Sequence, residues 1–569
     1  MGGNVKYTGL LIGAGLVLSL PLLLYGLPFH SSDGVQHAIF YRHFSRQLWA
    51  GEFYPRWLIG MNGGLGAPTL FYYPSVPYYL TAVIKPFFPN DNQGWHQLGI
   101  SAAIALATSG VCAYLWLKRI ATQKAAFAAA LIYMAMPYHL ATDIYDRGAF
   151  AELWTFVWMP LILLFIEAIS RGKRSAVIGL VVSYALLIMT HLPTTLMFSV
   201  VPICYGCYLA GRNRIIRMAA IIVGAMSLSI GLTAIYLLPA LAMQKYVFME
   251  DLTAGFYYYG HWFLPLKSAS IKASTNTIEH TVPQVAILGS FGYLLARRAT
   301  DSTARKMATF WMVVLLLSVF MMVPLSSFVW QLITPLHMIQ FPFRFSTVLC
   351  VATAALVAVG MSSPKETSLS AGLISWLTLL MIIGWLGYAL LWAQSGYGTS
   401  DFSPATVHKP TRRQELLNSD VNEFRPRWVV SLQEPALESL MGRIGESAEG
   451  LTRVKIVEGT GTVDVKSWKP REIAFQVDTP TGAILDVSQF YFPGWSAYTS
   501  DQPCSLKVEP SKPGGLVRVS VPGGSHRVML LLNQTLPEYA GGLVSAVSAA
   551  LLVLIVGLSG YWRKDKYKA

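Results

Sequence analysis

Long apolar runs recur from one end of the chain to the other, each bounded by polar or basic residues. Twelve read as membrane spans: roughly 9–28, 97–117, 125–138, 153–170, 175–190, 193–210, 218–241, 282–296, 308–323, 343–361, 370–394 and 540–562. A helix needs about 20 residues to cross about 30 Å of hydrocarbon. The pair within 175–210 reads as one tight hairpin broken at "THLPTT". Between 395 and 539 the period changes. Val463 and Val465, then Ile473, Phe475 and Val477, then Leu485 and Val487 alternate with other residues, and "DTPTG", "EPSKPGG" and "VPGGSH" punctuate at strand spacing. This pattern predicts a small antiparallel β-sandwich, with "FYFPGW" (490–495) as a buried aromatic strand ending in a turn. The expected architecture is a polytopic α-helical membrane protein of about 12 transmembrane helices. Residues 1–394 form the transmembrane domain, 395–539 the sandwich, and 540–569 a last helix with a basic tail.

Composition supports this class. The chain is 54% hydrophobic and only 13% charged, against about 25% charged in soluble proteins. The formal net charge of +14 is not spread over a surface that would suit nucleic acid. It is concentrated in short clusters: Lys118, Arg119 and Lys124; Arg171, Lys173 and Arg174; Arg212, Arg214 and Arg217; Arg297, Arg298, Arg305 and Lys306; and the tail from Arg563 to Lys568. With a cytoplasmic N-terminus, every cluster falls inside, as the positive-inside rule requires. The segments 29–96, 138–152, 242–281 and 395–539 then face outward. The expected location is the bacterial cytoplasmic (inner) membrane, with both termini cytoplasmic and the sandwich extracytoplasmic. The first span lacks a following small-residue cleavage site and reads as retained. Cys112, Cys204, Cys207 and Cys350 lie in spans and only Cys504 in the sandwich, so no disulfide framework is expected there.

The candidate chemistry lies in the outward segments. In "HSSDGVQHAIFYRHF" (30–44) a helix starting at 33–34 puts Asp33 and His37 on one face, with Phe40, Phe44 and Leu48 continuing a stripe along the membrane surface. Asp33 with Gln36 three residues on also has the form of a capping box, a purely structural alternative. The segment 138–154 adds Asp143, Asp146, Arg147 and Glu152. An Asp143–Arg147 pair in a solvated loop would account for two of them. If the carboxylates converge on one cavity, Asp143 and Asp146 are candidate ligands for Mg²⁺ or Mn²⁺, which favour oxygen donors. Arg56, His191, His261 and Arg344 sit at outer boundaries beside aromatics or prolines. They suit either an aromatic belt with snorkelling bases or substrate contacts, arginine in particular gripping phosphate. The span centres carry essentially no charge, which disfavours an ion-coupled transporter. No phosphate-binding G-x-x-x-x-G-K-[ST] loop occurs, which excludes that type of nucleotide motor.

The stretch "SDGVQHAIFYRHFSRQLWAGEFYPRWLIGMNGGLGAPTLFYYP" (32–74) resembles the first outer loop of the YfhO-like membrane proteins and the related 6-pyruvoyl-tetrahydropterin-synthase-related membrane family. "RGAFAELW" (147–154), "HLP" (191–193), "QFPFRF" (340–345) and "VPGGSHRV" (521–528) resemble that family too. These families are similar to the GT-C glycosyltransferases. The resemblance implies a GT-C-like fold and a polyprenyl-phosphate-linked sugar donor used on the outer face. It also implies an acidic catalytic residue in the first outer loop, which is Asp33 here. The acceptor would be a cell-envelope glycan, lipid or polymer. The rival expectation is a non-enzymatic binder, translocase or assembly factor for lipid-linked glycans. The pterin chemistry in the family name finds no support, since no set of three histidines stands at ligand spacing.

Overall fold

In the computed structural model, residues 2–28, 31, 33–91, 94–267, 277–362, 424–429, 452–500 and 505–565 are described, with isolated positions within 380–387. The expected span at 370–394 and the sandwich segments 395–423, 430–451 and 501–504 lie outside the described residues.

Among the described residues, eight helices are long and apolar enough to cross a membrane: Trp95–Leu117, Gln123–Asp146, Phe150–Ser170, Leu192–Ala210, Arg212–Leu232, Ser302–Met321, Pro342–Met361 and Leu536–Gly557. Two shorter apolar helices, Val5–Leu18 and Ala176–Ile188, join them. The expected span 9–28 is interrupted after Leu18 and again at Gly26, whose φ of 83° takes it out of helical space. The expected 218–241 span breaks at Thr233. The region of 282–296 is the helix Ile278–Arg297, which carries Glu279, His280 and Arg297. The segment Pro342–Met361 is buried throughout and forms the centre of the helical core. Its run of Ala, Val, Thr and Gly lets neighbours approach closely: a Cβ on Gly292 would meet the backbone of Leu356 and Val357 at 2.8–3.0 Å.

The strands form two antiparallel sheets. β1 (Val454–Gly459), β4 (Ala483–Phe490), β8 (Leu516–Val521) and β7 (Val508–Pro510) make one, in that order. β2 (Thr462–Lys469), β3 (Glu472–Thr479), β9 (Gly524–Leu532), β5 (Trp495–Thr499) and β6 (Ser505–Leu506) make the other. Ile473, Phe475 and Val477 of β3 and Leu485 and Val487 of β4 are all buried between the sheets, as their alternation predicts. "FYFPGW" is not one strand. Phe490 ends β4, Phe492 is buried in the connection, and Gly494 at φ 115° makes the turn into β5 at Trp495.

The sandwich core does not stop at the sandwich. Trp57, Leu65, Phe71, Tyr72, Met243 and Val247 pack into the same apolar cluster. The glycine-rich run 62–66 supplies the fit: Asn62, Gly63, Gly64 and Gly66 all have positive φ. At Gly66 (φ 82°) a Cβ would meet Gln489 Oε1 and Trp57 at 2.6 Å. That bare backbone lets Phe490 N–H donate to Leu65 O (2.6 Å), Gln489 Nε2 to Gly64 O (2.6 Å) and Trp57 Nε1 to Gln489 Oε1 (2.9 Å).

A buried carboxylate ties the last helix to both parts. Glu538 accepts from Thr535 N–H (2.7 Å) and its hydroxyl (2.9 Å), and pairs with Arg56 (3.2 Å) and Arg471 (3.3 Å). Removing one partner of a buried ion pair typically costs about 3–5 kcal/mol. Glu538→Gln, which leaves buried Arg56 without its carboxylate, is expected to lower stability by about 3 kcal/mol, read as a lower unfolding midpoint in detergent by intrinsic fluorescence.

Candidate functional site

The site forms where the start of the helix Gly34–Trp49 meets the turn before the helix Phe150–Ser170. Two glycines let the backbones touch. Gly34 follows Asp33 and Gly148 follows Arg147; a Cβ on either would collide with Ser31 Oγ, and Gly148 has φ 61°. With that room, Asp33 N–H donates to Arg147 O at 2.8 Å. Upstream of the turn, residues Tyr138–Asp146 form a π-helix, and Arg147 N–H reaches back five residues to Thr142 O (2.8 Å). Such widened turns often occur at functional sites.

Arg147 is buried and holds three carboxylates. Its Nη1 donates to Asp143 Oδ1 (3.0 Å) and Glu152 Oε2 (2.9 Å), and its Nη2 to Asp33 Oδ2 (3.3 Å). Tyr138 donates its hydroxyl hydrogen to Glu152 Oε1 at 2.8 Å. Arg344 approaches the same Glu152 through Nε (3.3 Å), while its Nη1 donates to Ile339 O (2.9 Å) and Gln340 Oε1 (3.1 Å). The ring of Phe343 lies 5.4 Å from the Arg147 guanidinium carbon, and that of Phe341 lies 4.7 Å from that of Arg344. The expected Asp143–Arg147 pair therefore exists, but in a sealed interior rather than a solvated loop. The carboxylates differ in access: side-chain exposure is 0% for Asp143, 1% for Glu152 and 39% for Asp33.

Asp33 stands at the helix start but its carboxylate makes no capping bond. Its backbone is already helical (φ −103°, ψ −16°), whereas a capping side chain needs the extended conformation. Asp301 shows the alternative in the same chain: at ψ 120° its side chain accepts from Thr303 and Ala304 N–H.

His37 and His191 flank the charges. His37 Nδ1 lies 2.9 Å from the Tyr78 hydroxyl. Burial outweighs the pull of Asp33 and lowers its imidazole to about 4. His191 Nδ1 lies 2.8 Å from Thr194 Oγ1. Burial, with the nearby Arg344 charge, lowers His191 to about 3. The structure thus gathers Asp33, His37, Asp143, Arg147, Glu152, His191 and Arg344 at one place.

Three expected residues stand apart. Asp146 accepts from the Thr277 hydroxyl at 2.6 Å, whereas Asp143 accepts from Arg147, so the two carboxylates serve different partners. Among the described residues, no group of three His, Cys, Asp or Glu side chains is arranged to hold a metal ion. Arg56 belongs to the Glu538 pair and lies over the Tyr54 ring (4.4 Å). His261 is exposed, against Tyr258. Tyr138, which donates to Glu152, was not legible as a partner of this cluster from spacing.

A family model described as 6-pyruvoyl-tetrahydropterin synthase related domain, membrane protein, matches residues 70–390, more than half of the chain. The protein belongs to that family of membrane proteins. Among solved structures it is similar to the arabinofuranosyltransferase AftD from Mycobacteria, with 10% identity and TM-score 0.45 over 93% of this chain and 60% of that one. It is also similar to the archaeal oligosaccharyltransferase AglB from Archaeoglobus fulgidus (11%, TM-score 0.38, 69% and 55%) and to ArnT from Cupriavidus metallidurans (14%, TM-score 0.38, 72% and 69%). The chain matches 60% and 55% of the length of the first two. The comparison with curated proteins gives no match.

Two outcomes follow. Arg147→Met strands Asp143 in a sealed interior and leaves Glu152 with only Tyr138 and Arg344, and is expected to cost about 3–5 kcal/mol, seen as lost folded protein on size-exclusion chromatography. The second concerns pH. An unfolded histidine binds a proton below about 6.5, whereas folded His37 stays neutral to about 4. Unfolding therefore takes up a proton in that window, and stability falls as pH drops through it. Thermal midpoints of wild type should decline from pH 6.5 toward 4 more steeply than those of His37→Asn.

Proposed function

We propose that this protein is a membrane glycosyltransferase of the GT-C kind. It moves a sugar from a polyprenyl-phosphate-linked donor to a cell-envelope glycan, lipid or polymer acceptor on the outer side of the membrane. The observation that carries this reading is the state of Asp33: a partly exposed carboxylate held by a buried guanidinium instead of capping its helix.

In the proposed reaction the acceptor hydroxyl attacks the anomeric carbon. The bond from that carbon to the phosphate oxygen breaks, polyprenyl phosphate leaves with the electron pair, and the hydroxyl proton passes to the Asp33 carboxylate. General-base assistance of this kind is typically worth about 10²–10⁴-fold. Arg147 and Arg344 supply the positive potential that a departing phosphate needs. Glu152 pairs with both guanidiniums, which fixes their spacing. Asp143 shares the Arg147 charge from the buried side, and His37 and His191 line the site as neutral donors or acceptors for sugar hydroxyls.

The helix Phe150–Ser170 supports the orientation. Glu152 lies in its first turn and Arg171 just past its last, about 30 Å apart at 1.5 Å per residue. The site and the basic cluster around Arg171 thus occupy opposite ends of a span. By the positive-inside rule the site, and the sandwich joined to segment 57–72, face outward.

The test is release of free polyprenyl phosphate and labelled product from a radiolabelled polyprenyl-phosphate sugar by the purified protein. Asp33→Asn is expected to reduce both by roughly 10²-fold or more without shifting the unfolding midpoint comparably. Transfer near the wild-type rate in that variant would remove the assigned role.

A further inference from the structure

Four tyrosines stand between residues 72 and 79, and three have committed hydroxyls. Tyr72 donates to Met243 O (2.8 Å), Tyr78 pairs with His37 Nδ1 (2.9 Å) and Tyr79 donates to Phe53 O (2.6 Å). The Tyr73 hydroxyl makes no hydrogen bond among the described residues, and it is not sealed from solvent.

Its ring is nevertheless fixed. Tyr73 follows the short helix Thr69–Tyr72 and precedes Pro74, which favours the extended backbone it adopts (φ −96°, ψ 131°). Ring centroids of Phe40, His37, Tyr78 and Phe424 lie 5.6, 6.0, 6.2 and 6.4 Å away. Its neighbour His37 lies one helical turn from Asp33, which Arg147 holds, and Glu152 links Arg147 to Arg344, so the Tyr73 ring borders the charged cluster. Burial raises the phenol, with Asp33 adding to the rise, so the group remains an O–H donor at any working pH.

Arg344 offers a second unused donor. Its Nη1 is engaged as described and its Nε meets Glu152 only as an ion pair, whereas its Nη2 makes no hydrogen bond among the described residues. Two donors without acceptors, beside a partly exposed carboxylate, suit an anion with several oxygens better than a neutral hydroxyl. We propose that the Tyr73 hydroxyl and Arg344 Nη2 together receive the phosphate oxygens of the lipid-linked donor, making Tyr73 a substrate-contacting residue. This assignment rests on the glycosyltransferase reading for its place in a reaction, but not for the binding itself.

Tyr73→Phe removes only the oxygen and keeps the packed ring. Undecaprenyl phosphate is the probe, its binding to the purified full chain measured by native mass spectrometry, beside the radiolabelled transfer assay. A hydrogen bond to a charged group is typically worth enough to change affinity roughly tenfold or more. Tyr73→Phe should weaken undecaprenyl phosphate binding by about that factor and lower kcat for transfer, with the unfolding midpoint unchanged. Unchanged affinity for undecaprenyl phosphate overturns the proposal, as does an effect confined to the acceptor KM. If wild type binds the probe, the variant does not, and neither transfers sugar, the phosphate site stands and the glycosyltransferase reading falls.

Discussion

A guanidinium buried away from water must find anions, and that constraint on Arg147 organises the site. Desolvating a charge costs several kcal/mol unless partners surround it. The chain meets the cost by bringing together Asp33, Asp143 and Glu152, from three stretches, around one side chain. Gly34 and Gly148 exist in this scheme to let the backbones approach, and Glu152 passes the arrangement on to Arg344. Two of the carboxylates are sealed and cannot meet a ligand. The third, Asp33, is partly exposed while its partner Arg147 is buried.

In the proposed reaction this division separates support from chemistry. Asp143, Glu152 and Tyr138 hold Arg147 and Arg344 in place. A charge held by packed neighbours need not reorganise when substrate charge develops, which is the condition for strong electrostatic stabilisation. The aromatic faces of Phe341 and Phe343 lie against the same guanidiniums, confining them without competing for their hydrogen bonds.

Much of the fold was legible because burial writes itself into the sequence. The apolar runs and the alternation around Ile473–Phe475–Val477 lead to helices and to sheet faces with little ambiguity. The breaks after Leu18 and at Thr233 were less so, since an apolar run shows no interruption where a single residue leaves helical geometry. Within the site, Asp33, Arg147 and Glu152 could be named from type and position. The Asp143–Arg147 pair followed from i, i+4 spacing, but its burial, and the turning of Asp146 to Thr277, depend on how the π-helix between Tyr138 and Asp146 packs, which spacing does not show. Arg56 and Arg344 look alike in sequence, each beside aromatics. Only tertiary contact sends one to Glu538 and the other to Glu152.

The bond from Trp57 to Gln489 joins residues 432 positions apart. Synthesis at the ribosome delivers Trp57, Leu65 and Phe71 long before the strands that cover them, and most of the helices must insert into lipid in between. During that interval the early segment carries an apolar face with no companion. Assembly of such distant contacts is slow, so the nascent chain spends its longest vulnerable period with that face open to misassociation. Arrival of the segment from Gln489 to Trp495 is therefore the event that covers this face.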